Sequence, residues 1–560
     1  MNKKNKIIFF ILIILAFLVR FLFLSKIPQG LTQDEIAIGY NAYSILKTGK
    51  DEWGEFLPFN FKSVGDFKPP LLIYLTVPFV ALLGKTEIAT RLPVALFSLF
   101  TVILFFFFSR KHIFSRKHPS LAYLSTFLLA LSPWHIFFSR SGFEAILGLF
   151  LSLLCLYFLL NFFEKPNLKE LFFCLISGFI ALISYHSTKV FLPLVCLILL
   201  SFNFKQFRKF IINQWKHNQK KLILFFIFTI LLIGFFLKNY IFGPGLIRAK
   251  MTFLSVDYEY QRIILPQLTY NSFGFVKEKI ILFLFWFKRY LEYFLPNFYL
   301  YSGLELVTKN QPGQGVIYSV EYIFLFLGTL LLLTKKGKYY FKNKSSVRFI
   351  LFCLLIGFLP ASLANNSQHA LRSLNAIPAI YSIIGLGLYY SYQFIKQHIP
   401  KFKILLILGF SFFLFIDVIK FLDLYLVHYP YQLSDYREYG WKEITIFSQK
   451  IAPQYRNVYV DHRFGKEGQN TYGVPYLFFL FYGDFNPEKY NSDPRRLNGD
   501  SSDYANFKFE PINWFGLDHV GKNLYVGSPW SFPKDQITSE QILYRVYYPD
   551  GTVALMVVED

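Results

Sequence analysis

Two acids, a lysine and a diproline cluster near the N-terminus, in a spacing suited to proton transfer beside an anion. Thr32, Gln33, Asp34 and Glu35 open a helical pattern: Ile36, Tyr40 and Tyr43 recur at helical spacing, and Gly49 is a natural stop. Thr32 followed three residues later by Glu35 predicts a capping box, with Glu35 folded back onto the Thr32 amide. On that reading Glu35 is a cap, and its exchange for glutamine is expected to leave most activity in place. Asp34 then falls in the first turn, where unpaired amides and the helix dipole favour its ionised form. A carboxylate held charged in this way can accept a proton. Lys68, two residues after Asp66, precedes Pro69 and Pro70. The prolines bias it to an extended backbone and let a new helix start behind it.

These residues must be positioned by a membrane scaffold. Of 560 residues, 54% are hydrophobic and 21% aromatic, with 23 excess positive charges. Apolar runs of spanning length recur along most of the chain, so it reads as a polytopic α-helical membrane protein. The basic excess gathers in short loops between those runs, as the positive-inside rule requires, and implies membrane lipids rather than nucleic acid as its partner. All four cysteines lie inside apolar runs, so no disulfide or metal framework is expected. The first apolar run, 7–24, has no small-residue cleavage site behind it and is read as a retained span.

Parity orders the rest. The run 71–83 has 13 residues before Gly84, too short to cross, and is read as an interfacial helix. Spans then fall near 7–24, 88–108, 120–138, 142–163, 171–186, 189–204, 222–242, 317–334, 347–362, 376–395 and 403–423. The apolar but charged segment 280–295 is taken as interfacial or re-entrant. About eleven spans place every basic loop on one side. The first loop, 25–87, and the tail, 424–560, come out on the other. The chain is divided accordingly into a membrane domain, 1–423, and a small α/β domain, 424–560. In the tail, strands are expected at 457–460, 523–526 and 542–547, the last pairing with 552–558 across Pro549, Asp550 and Gly551. Helical patterns fit 440–451 and 474–482.

On that topology, ionisable residues gather at outer span ends, where charge is costly and functional by default. They are Asp34, Glu35, Asp66, Lys68, Arg91, Arg140, Glu144, His186, Lys189, His369 and Arg372. Blander readings stand beside several of them. Arg140 and Glu144 have the spacing to pair with each other. His186 and Lys189 fit simple interfacial anchors. His369 and Arg372 share a face, a pattern suited to an anion.

The run from Asp34 and Glu35 through a helix ending near Gly49, then Lys68, Pro69, Pro70 and Leu71, Gly84, and Arg91, Leu92 and Pro93, resembles the first outer loop of the protein O-mannosyltransferase superfamily. This superfamily includes bacterial glycosyltransferase family 39 proteins and lipid A aminoarabinose transferases. Ser139 through Glu144 resembles a second acidic position, and 365–378, with His369 and Arg372, a late outer loop. The resemblance covers the first 200 residues best and leaves the tail outside it.

It implies a C-type fold and a donor sugar, hexose or pentose with mannose among the candidates, carried on a polyprenyl phosphate. It implies a lipid, glycan or protein acceptor attacked through a hydroxyl. Asp34 would be the catalytic base, with Glu144 and Glu35 as the other catalytic candidates. Lys68, Arg372, His369 and Lys189 would meet the donor phosphate, supported by Asp66, Arg91, Arg140 and His186. No metal-ligand cluster is legible, so no cofactor is predicted, without excluding a divalent ion. A bacterial plasma membrane is implied, with the N-terminus cytoplasmic and the tail outside. Two other classes remain open at this point: a lipid-linked sugar flippase or transporter, and a non-catalytic membrane scaffold.

Overall fold

The computed structural model describes residues 3–63, 65–243, 245–266, 275–304, 313–466, 472–495, 502–517, 521–533 and 535–560. The chain forms two compact units, each assembled from separate stretches of sequence: 1–22, 94–139 and 143–421, and 23–93, 140–142 and 422–560.

The first unit is helical. Every segment expected to span contains a helix, from Lys3–Phe21 to Lys403–Asp423. Among the described residues, six helices can cross a membrane by length and composition, or seven if Ser120–Leu131 and Pro133–Ser139, bent by 52°, count as one span. Even with the bent pair counted, four expected spans fall outside that measure: Lys3–Phe21, which carries Lys3, Lys4, Lys6 and Arg20, and three short helices, one of them the 17-residue Leu168–Ser184. Thr188–Phe202 and Ser319–Leu333 have 15 residues each, about 22 Å at the α-helical rise, against a hydrocarbon core of about 30 Å. The long Phe204–Phe236 helix breaks its dihedrals at Asn218 (φ −143°, ψ 44°), where the basic stretch meets the apolar one. The charged apolar segment near 280 forms the Phe275–Glu292 helix, whose Arg289 binds Glu259 at 2.6 Å.

Close backbone approach holds the centre of this unit together. A Cβ on Gly387 would stand 2.1 Å from the Phe324 carbonyl oxygen, and one on Gly328 2.1 Å from that of Ile383. Small residues let Ser319–Leu333 and Ile377–His398 meet where apolar burial supplies no drive between helices. The basic loops also meet one another. Phe114 bridges Phe341, the Ser115 amide donates to the Tyr340 carbonyl at 2.9 Å, and Lys342 binds Glu164. His118 packs on Tyr340 and Tyr389, and Gln206 donates to the Phe163 carbonyl at 2.6 Å.

In the second unit, the Gln33–Thr48 helix runs from the capping box at Thr32 and Glu35 to Gly49, which takes the left-handed conformation (φ 71°). β1 (Phe61–Ser63) and β2 (Asp66–Lys68) form an antiparallel hairpin that delivers Lys68 in extended backbone. Pro69 then caps the Pro70–Leu83 helix. The tail builds a five-stranded mixed sheet from β3 (Asn457–Val460), β4 (Phe507–Phe509), β5 (Asn523–Gly527), β6 (Ile542–Tyr547) and β7 (Val553–Glu559). Its order is β4-β3-β5-β7-β6, with β3 parallel to both neighbours and β7 antiparallel to both of its own. The Trp441–Ile451 and Pro475–Tyr482 helices match the expected patterns; β4 was not anticipated. Leu31, Ile36, Ala37 and Tyr40 share one hydrophobic core with Trp441, Ile444, Val458, Leu477 and Phe481, so the first loop and the tail fold as one body.

Candidate active site

The two adjacent acids of the capping box have opposite environments. Glu35 is buried at 1% exposure and fully engaged. Its carboxylate accepts from the Thr32 amide at 3.1 Å, the Gly142 amide at 3.0 Å and Arg91 Nε at 2.9 Å, and it pairs with the Arg437 guanidinium. Burial alone would push its pKa up, but Arg91 and Arg437 prevail and bring it down to about 2. Arg91 also donates to the carbonyls of Leu24 at 3.1 Å and Pro28 at 2.8 Å and to that of Gly30, and Arg437 donates to Gln29 O at 3.0 Å. Glu35 therefore does more than cap a helix. It is the anion around which the 24–30 segment, two arginines and the start of the helix are assembled, so its exchange for glutamine would leave two buried cations without their anion.

Asp34 sits at the second helical position with 53% of its side chain exposed, in an ion pair with Lys68, which is 4% exposed. The helix N-terminus and the ammonium both present positive charge to this carboxylate. β2 and the diproline fix the lysine stem, so the charge is presented from a rigid element. Asp66 lies on the same strand, but its side chain falls outside the described residues.

Arg140 donates to the Ile27 carbonyl at 3.1 Å and lies 5.8 Å from the Tyr425 ring centre. In the first unit, Glu144 immediately precedes the Ala145–Glu164 helix. Lys189 stands 3.2 Å from His186 Nδ1 and 3.7 Å from the centre of the Tyr240 ring. Arg372 donates to the Asn365 carbonyl at 2.8 Å. Burial, aided by the Arg372 charge, takes the His369 pKa down to about 3, so His369 is neutral and Arg372 is the cation of that pair. The structure thus unites Asp34 with Lys68, and Glu35 with Arg91, within the second unit.

Two residues of the site were missed in the sequence, Arg437 and Glu438. Arg437 pairs with an acid 402 positions earlier, and no local pattern signals that. Glu438 adopts a φ of 53°, a left-handed conformation uncommon for a residue with a Cβ. It is 4% exposed, and neither carboxyl oxygen has a hydrogen bond of normal geometry. Burial, opposed by the Val474 amide and reinforced by the Asp34 charge, raises its pKa to about 8. A Cβ on Gly473 would lie 2.7 Å from its Oε1, so a side chain there would displace the carboxyl group. The one signal available was the adjacent pair of opposite charges in the 433–440 turn. Nearby, Glu87 ties loop to tail through Lys442 at 2.8 Å and the Tyr482 hydroxyl at 2.9 Å. Among the described residues, no group of three or more His, Cys, Asp and Glu is arranged to hold a metal.

Residues 67–233 match the family model of the dolichyl-phosphate-mannose-protein mannosyltransferases. No curated protein matches the chain by sequence. Among solved structures, ArnT from Cupriavidus metallidurans bound to undecaprenyl phosphate aligns over 98% of this chain and 97% of its own, at 13% identity and a TM-score of 0.50. The oligosaccharyltransferase AglB of Archaeoglobus fulgidus, in complex with an inhibitory peptide and a dolichol-phosphate, aligns over 94% of this chain and 69% of its own, at 10% identity and a TM-score of 0.49. A form of the Archaeoglobus enzyme is a complex with zinc and sulfate. The likeness to ArnT is one of fold.

Proposed function

We propose that the chain is a protein O-mannosyltransferase-like membrane glycosyltransferase that transfers a hexose or pentose from a polyprenyl-phosphate donor to an acceptor hydroxyl at the outer membrane face, with Asp34 as base; the family match over residues 67–233 supports this reading. One observation carries the reading. Of the two adjacent acids, Glu35 is saturated inside the fold while Asp34 remains half-exposed at a helix start, against a buried lysine.

In the resting pair Lys68 holds Asp34 ionised and lowers its basicity. A donor phosphate draws the ammonium toward itself, and the carboxylate becomes the stronger base. The acceptor oxygen then attacks the anomeric carbon and gives its proton to Asp34 as the bond from that carbon to the phosphate oxygen breaks. Lys68 meets the charge that develops on the departing polyprenyl phosphate, the larger catalytic contribution in a dry, preorganised site. Arg372 is the second cation proposed for the phosphate, with Lys189 after it; Glu144 is the alternative base. Arg91 acts by positioning, through Glu35. The undecaprenyl phosphate bound to ArnT, which shares this fold, supports a lipid-phosphate leaving group.

The meeting of the basic loops supports the eleven-span arrangement, with those loops cytoplasmic and the first loop and tail outside, in a bacterial plasma membrane. Incubating the purified protein with a panel of radiolabelled polyprenyl-phosphate sugars tests the activity. One member should release polyprenyl phosphate in the presence of acceptor. A folded preparation that releases none from any member overturns the reading.

A further inference from the structure

Where the Glu87–Ile113 span ends, its last turn widens into a π-helix, Ser109–Ile113, closed by the Phe114 amide on the Ser109 carbonyl at 2.9 Å. Single π turns recur at functional sites because they re-aim side chains. Here the turn and the loop behind it line a cavity of about 490 Å³ with Arg110, Lys111 and Arg116, walled by Phe107, Phe114 and Tyr157. That volume suits a ligand rather than a packing defect.

The charges in it have no protein counter-ion. No acidic side chain lines the cavity, and among the described residues none of the three cations makes an ion pair. Glu164, the carboxylate near this end, is occupied by His112 at 2.8 Å and by Lys342. Lys111 rests instead over the Tyr157 ring at 5.1 Å from its centre. The loop is not a floppy basic run, because Phe114 bridges Phe341 and the Lys342 amide donates to the Ile113 carbonyl at 2.8 Å. Positive-inside charge alone calls for lysines and arginines in water; it does not call for three of them around one walled cavity. An apolar track leads away from it. Phe100 and Phe107, two turns apart on one helix face, are 43% and 46% exposed.

We propose that this cavity binds the phosphoryl head group of an anionic lipid, with an acyl chain along Phe107 and Phe100. Guanidinium and ammonium groups supply charge-assisted hydrogen bonds to the phosphoryl oxygens, and the aromatic wall takes the glycerol and the first methylenes. All of the cavity's lining residues belong to the first unit, whereas Lys68 belongs to the second.

Native mass spectrometry of the detergent-purified full chain tests it, with phosphatidylglycerol, phosphatidylcholine and inorganic phosphate as probes. Wild type should retain phosphatidylglycerol well above phosphatidylcholine. Removal of each cation should weaken it about fivefold, and R110Q/K111Q/R116Q about a hundredfold. Displacement of the lipid by millimolar phosphate supports the same phosphoryl chemistry with free phosphate as the source. Should the triple variant fail to fold, R116Q alone, at an exposed position, must still give the fivefold loss. Equal retention of the two lipids, or full retention by the substituted protein, overturns the proposal.

Discussion

Asp34 and Glu35 differ by one position and by nearly everything else. Glu35 carries a pKa of about 2 against 4.5 in the unfolded chain. Its ion pairs therefore stabilise the fold above pH 4.5, by on the order of 3 kcal/mol, and this contribution is lost as pH falls from 4.5 toward 2. Glu35→Gln leaves Arg91 and Arg437 buried without their anion, so thermal unfolding should show a loss of about 3–5 kcal/mol; a variant as stable as wild type would contradict this. Glu438 has the opposite sign. Its raised pKa of about 8 means the folded state holds a proton that the unfolded state releases above pH 4.5. Stability from this group falls as pH rises from 4.5 to 8. Among the charges around it, Asp34 pushes this pKa up and Arg437 pulls it down. In Glu438→Gln the midpoint of unfolding should vary less between pH 5 and 8 than in wild type; identical slopes would show that Glu438 does not titrate there. In the proposed reaction Lys68 meets the donor phosphate. Lys68→Ala should lower catalytic efficiency with the lipid-phosphate donor by about tenfold to a hundredfold, from charge-assisted contacts of about 1.5–3 kcal/mol. Unchanged donor kinetics in a folded variant would remove it from the site.

At the scale of elements, local signals were legible and distant pairings were not. The capping box, the stop at Gly49 and the helix start at Pro70 follow from side chains that act within four residues. The 542–547 hairpin followed from its turn residues and alternating pattern. β4 escaped because three residues, Phe507, Lys508 and Phe509, carry too little periodicity to separate a strand from a loop. Arg437 and Glu438 escaped for another reason: their partners lie at Glu35 and Asp34, and one chain shows no sign of such a contact. The short helices Thr188–Phe202 and Ser319–Leu333 show what an apolar run cannot reveal, namely how much of it stays helical to the end.

For the molecule as a whole, hydropathy marked where helices form, and the basic loops near 109–119, 164–170, 205–221 and 335–348 touch one another in pairs. The grouping of the first loop with the tail was not legible, because the shared core joins residues about 400 positions apart. Topology is open to a direct check with an impermeant thiol reagent on intact cells. Cysteines at Lys50 and Asp535, both exposed, should react, and one at Lys117, also exposed, should not. Labelling at Lys117 would overturn the eleven-span arrangement. Asp51 is a poor probe of the same loop because it is fully buried.

The central claim, that Asp34 takes the acceptor proton, is tested most directly by the single-turnover transfer rate of Asp34→Asn, compared with Glu144→Gln at matched donor binding. Loss of a general base typically costs about 10²–10⁴-fold in rate. Asp34→Asn should fold, bind the polyprenyl-phosphate sugar as wild type does, and transfer it slower by that factor. Transfer by Asp34→Asn within a few-fold of wild type, with collapse in Glu144→Gln, would contradict the account and move the base to Glu144.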